Sequence, residues 1–104
     1  MSVVSVYAVF ADPDEAERIG RSVIAERLAA CINIIPSVRS IYRWEDAIET
    51  AEEAAAIFKT TAARVDSLVT RIASLHSYDV PCVVVWPIDK LLIGYADWVE
   101  RSVG

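Results

Sequence analysis

A helix-like ending, Glu26-Arg27-Leu28-Ala29-Ala30, passes with no polar spacer into a strand-like run, Cys31-Ile32-Asn33-Ile34-Ile35. The run meets Pro36 and resumes through Ile41-Tyr42-Arg43-Trp44. This junction constrains the fold more than any other stretch. A helix that hands over directly to a long extended segment has to pack beside the sheet it feeds. β-Branched and aromatic residues fit a pleated, half-buried surface. Proline removes a ladder donor, so Pro36 marks an edge position or a bulge. The spacing therefore predicts a strand from Cys31 to Trp44.

The flanking segments build a pattern around it. Residues 2–10, Ser-Val-Val-Ser-Val-Tyr-Ala-Val-Phe, read as a buried strand. Asp12 can cap a helix whose first position is Pro13, with Glu15 three residues after the cap. Ala16, Ile19, Val23, Ile24 and Leu28 then recur at helical spacing. Glu45-Asp46-Ala47 makes a polar turn. The segment after it, from Ile48 to Lys59, is rich in Ala and Glu, so propensity alone favours a helix there that could run on to His76. Tertiary context overrides propensity in either direction, which leaves helix and strand both open at this point. Thr61 is a candidate cap for a helix carrying Val65, Leu68, Val69, Ile72 and Leu75 on one face. Pro81 ends it. Cys82 to Trp86 reads as a buried strand closed by Pro87, and Tyr95, Trp98 and Val99 fit a short terminal helix.

Composition bounds the function. A chain of 104 residues is a single domain, 1–104, large enough for one core. Its hydrophobic fraction of 55% exceeds the usual share, and small domains bury such a surplus against copies of themselves. The net charge is −5 and no Lys/Arg run occurs, which argues against nucleic acid as a partner. No apolar run is long enough to span a membrane, and the first residues lack a signal-peptide pattern, so a cytoplasmic location is expected. Cys31 and Cys82 lie in apolar runs and are expected as small buried residues. No G-x-G-x-x-G, P-loop, H-E-x-x-H or C-x-x-C occurs, so no enzyme chemistry is indicated and no cofactor is obligatory.

Several markers stand in a specific order: Pro13-Asp14-Glu15-Ala16, Leu28-Ala29-Ala30-Cys31-Ile32-Asn33-Ile34, Ser40-Ile41-Tyr42-Arg43-Trp44, Lys59-Thr60, His76-Ser77-Tyr78-Asp79-Val80-Pro81 and Tyr95-Ala96-Asp97-Trp98. In that order the chain resembles the divalent-cation tolerance (CutA) family over nearly its whole length. The resemblance favours the strand at Ile48–Lys59. With it the elements give an α+β, ferredoxin-like βαββαβ fold with a short C-terminal helix and an antiparallel sheet. It also implies a homotrimer, a non-enzymatic role in the response to metal ions, and copper or another divalent cation as the candidate ion. At the level of fold and assembly it is similar to PII-type signalling trimers as well.

The family's copper ligands, a Cys and a His pair, fall by position on Phe10, Leu75 and His76, so two of the three donors are missing. Other departures are Asp46-Ala47 where a Gly and a basic residue are usual, Cys82 where Glu is usual, and Leu91 where Gly is common. His76 is the only histidine and is expected either as a charged cap at a helix C-terminus or as a metal contact. A Cys-His nucleophile pair is disfavoured by thiols placed in mid-strand. A second reading is a sensor cleft between subunits, lined by Tyr42, Trp44, Lys59, His76 and Tyr78, in which one cation among aromatic walls holds a small anion. Glu45, Asp46, Glu49, Glu52 and Glu53 lack calcium-loop spacing and read as a solvated hairpin tip.

Overall fold

The structure is a computed structural model and describes residues 2–104. In chain order it comprises β1 (Val3–Phe10), α1 (Pro13–Ala25), β2 (Cys31–Trp44), β3 (Ala47–Thr61), α2 (Val65–Leu75), β4 (Val83–Pro87) and α3 (Ile93–Val103). The strands form one antiparallel sheet in the order β2-β3-β1-β4. This is the expected α+β, ferredoxin-like arrangement with its extra terminal helix.

Helix α1 begins as its sequence dictates. The Asp12 side chain accepts the Glu15 N–H at 2.8 Å, and Pro13 occupies the first turn. Its end differs from expectation. The helix stops at Ala25, and Arg27 takes a left-handed φ of 59°. Arg27 N–H then bonds Ile24 O at 3.0 Å and Leu28 N–H bonds Val23 O at 2.9 Å, a Schellman turn built without glycine. That turn swings residues 28–30 off the helix axis and into β2. It also frees Leu28 to pack beside the core rather than on the helix. Gly20 lets α1 approach the sheet closely, since a Cβ there would sit 2.7 Å from Ile32 Cδ1.

The Ala-rich segment is the central strand β3, not a helix. It is laddered on one side to β1 and on the other to β2. Ala54, Ala55 and Ala56 are fully buried there. Two neighbouring ladders and full burial outweigh the modest helix preference of alanine and glutamate. The β2–β3 turn is a two-residue loop in which both Glu45 (φ 48°) and Asp46 (φ 66°) are left-handed, the type I′ geometry that matches strand twist. The β2–β3 register shifts between Ile35 and Val38, so Pro36 does sit at a bulge.

Register divides the sheet into two faces. Val6, Ala8 and Phe10 of β1 share a face with Ala54, Ala56 and Phe58 of β3, and with Ile19, Val23, Leu68 and Ile72 of the helices they form the main core. The opposite face carries Val3, Ser5, Tyr7 and Val9 opposite Thr61, Lys59, Ile57 and Ala55. It is not wholly bare, because α3 packs Ala96 and Val99 against Val3 at one end. Beyond α3 the protomer leaves apolar surface uncovered. β4, expected as a buried strand, is an edge strand with Val84, Val85 and Trp86 exposed. Ile41, Trp44 and Ile48 of the projecting hairpin are each more than 60% exposed.

Two local expectations fail. Thr61 does not cap α2 but ends β3, and the residue before α2 is Arg64, which makes no side-chain cap bond. Arg64 instead donates from Nε to Val103 O at 3.0 Å, tying α2 to the end of α3. Ile24, expected on the buried stripe of α1, is 37% exposed because the helix turns that position to the rim.

Candidate functional site

The loop joining α2 to β4 is held at several points, and these bonds decide what its residues can do. Glu15 is 5% exposed. It accepts the N–H groups of Ala11 at 3.0 Å and Ser77 at 2.9 Å, with Arg18 Nη2 at 3.9 Å. Burial pushes its carboxyl up, but hydrogen bonding from Ser77 and Ala11 outweighs this and holds it below the ordinary glutamate range. The sequence marked Glu15 only as a helix-start residue. Its clamp on Ser77, 62 positions away, is a tertiary feature.

His76 follows α2 directly. Its Nδ1 accepts the Tyr78 N–H at 3.0 Å and its Nε2 lies 2.7 Å from Val9 O. An acceptor at Nδ1 leaves Nε2 as the N–H donor to Val9, so both ring nitrogens are committed. Instead of capping the end of α2, the ring ties the loop to β1. Phe10 is fully buried and stacks on this ring with centroids 5.0 Å apart, and the Tyr78 ring lies 4.8 Å away on a tilt. Of the three positions that would hold copper, Phe10 and Leu75 offer no donor and His76 offers no free nitrogen. This set does not fit copper, which needs several nitrogen or sulfur donors. Among the described residues no three His, Cys, Asp or Glu side chains converge as a metal would require.

The five residues expected in a cleft between subunits are spread over two places on one protomer. A groove of about 780 Å³ lies between the projecting hairpin and the 78–82 loop. Tyr42, Trp44 and Tyr78 line it. Lys59 does not. It pairs with Ser5 and Cys31 near the far end of β3, six residues from Glu53 and so roughly 20 Å along the strand. His76 supports Tyr78 from behind rather than facing the groove. In place of a cation the groove has Glu49, Glu53 and Asp79. The anion-binding reading therefore lacks its positive group within one chain.

Tyr78 Oη donates to Glu53 Oε2 at 2.7 Å. Burial, that hydrogen bond and the charges of Glu53 and Glu15 all push the phenol up, so it stays a donor. The other hairpin acids are partly paired. Arg39 Nε bonds Glu52 at 3.0 Å on the opposite face of the ribbon.

The cysteines also depart from expectation. Cys82 is exposed, precedes β4 and borders the groove. Cys31 is half-buried at the first position of β2, with Sγ 3.3 Å from Tyr95 Oη. Burial and this contact push Tyr95 up to about 12. Neither thiol is in mid-strand, and His76, with both nitrogens engaged, activates neither of them.

Comparison with known proteins agrees with the fold. The family model for the CutA1 divalent ion tolerance protein matches residues 4–102. The divalent-cation tolerance protein CutA of Archaeoglobus fulgidus is 36% identical over 98 residues, covering 94% of this chain and 95% of that protein. The rice protein CutA 1, chloroplastic, is 35% identical over 99 residues, covering 95% of this chain; the chain spans 56% of its length. The crystal structure of CutA from Xylella fastidiosa superposes with a TM-score of 0.97 at 33% identity, covering all of both chains. The structure from Archaeoglobus fulgidus, described as a periplasmic divalent cation tolerance protein, gives 0.95 at 33% identity, covering 98% of this chain and 99% of that one. On the family match across residues 4–102 and this shared fold, the chain belongs to the CutA1 divalent ion tolerance family.

Proposed function

We propose that this chain acts in tolerance of divalent metal ions as a non-enzymatic homotrimer that does not itself hold copper tightly. The observation that carries the reading is the pairing of family membership with an uncovered apolar surface. Trp44, Ile41 and Ile48 of the hairpin and Val84, Val85 and Trp86 of the edge strand stand exposed on one protomer. An exposed apolar edge strand is a liability unless another chain covers it, and closed symmetry among identical copies covers it without leaving free edges. Weak metal binding is supported by the chemistry of Phe10, Leu75 and His76 described above.

Two measurements test this. Sedimentation should give a particle of about three times 11.5 kDa, and a monomer across the micromolar range refutes the assembly. Calorimetric titration with copper at neutral pH should show no stoichiometric submicromolar site, and the appearance of one refutes the weak-binding part.

A further inference from the structure

We propose that Lys59 of one protomer forms an ion pair with Glu53 of the next, a charge contact repeated around the ring. The pair presupposes the homotrimer proposed above and names residues that meet across it. Lys59 sits part-buried on β3, inside the sheet. Its row across the sheet is Cys31, Lys59, Ser5 and Trp86, and none of its neighbours there carries a fixed charge. Ile57 and Thr61 flank it on the same face. Among the described residues no carboxylate forms an ion pair with it. This is the face that α3 covers at one end only. A copy laid over the remainder strips water from the ammonium, and a charge so covered is costly without a counter-charge. Lys90, by contrast, is exposed and keeps its water.

The counter-charge lies on the same face at its other end. Alternation along β3 puts Glu53 on the face of Lys59, roughly 20 Å away along the strand, so one chain cannot join them. Glu53 is also part-buried and is in no ion pair among the described residues. Tyr78 Oη donates to its Oε2 at 2.7 Å, which fixes the carboxylate and leaves Oε1 as an acceptor. Tyr78 is itself held by the His76 ring. The face is therefore polarised, with its cation near the body and its fixed acid toward the hairpin. The protomer is elongated, 45 Å by 26 Å by 22 Å, and Ile41, Trp44 and Ile48 of the hairpin are left exposed by their own chain. A head-to-tail ring lays the hairpin of each protomer on the body of the next, which brings unlike ends of the polarised face together. Stacking the copies end with end instead sets Lys59 against Lys59, and like charges across an interface are costly. Charge complementarity thus selects the head-to-tail contact and assigns Glu53 as the partner of Lys59.

The experiment is sedimentation equilibrium of the intact protein and its charge variants across the micromolar range, with circular dichroism on each. Lys59→Glu and Glu53→Lys should each raise the concentration needed for assembly about tenfold or more. The chain carrying both reversals should regain most of that loss, because each interface again joins unlike charges. Where a reversal prevents folding, Lys59→Gln and Glu53→Gln decide: each should weaken the trimer, and the double variant should lose clearly less than the two single losses combined. A trimer indifferent to either reversal, a double reversal no better than the weaker single variant, or additive losses in the glutamine set overturns the pair and leaves the assembly standing. A wild-type chain that stays monomeric overturns the assembly, and the pair with it.

Discussion

Replacing Glu15 with alanine probes the connection between the start of α1 and the loop that walls the groove. The side chain is 5% exposed and accepts two backbone N–H groups, from Ala11 and from Ser77. Hydrogen bonds to a charged group are worth roughly 1.5–3 kcal/mol each. Ser77 is at the surface, so water can replace the carboxylate at one donor in the variant, which brings the expected loss to about 2–3 kcal/mol. For a domain near 100 residues this lowers Tm by roughly 10–20 °C. The size of the loss should depend on pH. Because the folded carboxyl titrates below its ordinary value of 4.5, its contribution is complete above the unfolded value and is lost as the pH falls through the lower folded value. Wild type and Glu15→Ala should therefore converge in stability under acid. Urea unfolding followed by tryptophan fluorescence, at equal protein concentration from neutral to acid pH, reads both quantities. Glu15→Gln serves as the control. It keeps the shape but aims an NH2 group at one of the two donors, so it should lose about half as much or more and, having no titrating group, should also approach wild type under acid. A loss below about 0.5 kcal/mol at neutral pH, or a gap between wild type and Glu15→Ala that does not narrow under acid, refutes the argument.

Three further outcomes follow from local geometry. Asp46→Gly relieves a left-handed residue in the hairpin turn (φ 66°) and should stabilise the protein by about 1 kcal/mol, seen as a rise in Tm; an unchanged or lower Tm counts against the type I′ assignment. Gly20→Ala places a Cβ 2.7 Å from Ile32 Cδ1, so overpacking of roughly 1–3 kcal/mol outweighs a gain of about 1 in helix propensity; Ile32→Val in the same chain should restore part of the loss, and failure of this rescue denies the contact. Trp86→Glu adds a charge to the exposed edge strand, where the indole stacks only on Tyr7 at 5.0 Å; sedimentation should shift toward the monomer with circular dichroism unchanged, and an unaltered particle mass moves the interface elsewhere.

The helix α1, its Asp12 cap, the long strand β2 and the bulge at Pro36 were legible because each rests on local chemistry: a capping side chain, an apolar period, a missing N–H. The family markers also followed from order along the chain, and they favoured a strand where composition favoured a helix. What local chemistry did not contain was neighbourhood. Ala54, Ala55 and Ala56 become strand because two ladders flank them, and nothing in three alanines announces that. The end of α1 was misplaced because Arg27 adopts a left-handed turn that residues usually leave to glycine. His76 is expected as a helix cap or a metal contact, yet its ring is held by Val9 O and the Tyr78 N–H, groups that only the folded loop brings to it.

The candidate site divides along the same line. Tyr42, Trp44 and Tyr78 were identified as groove residues from their aromatic character, which is a property of the residue type. Lys59 joins them in the sequence reading as the one cation among aromatic walls, and within one chain strand register sends it to the other end of the sheet. Sequence by itself determined what each segment can become, because caps, periods and prolines act within a few residues. Tertiary structure decided which side chains meet and which charges stay unpaired, because those depend on register and on packing between elements dozens of residues apart.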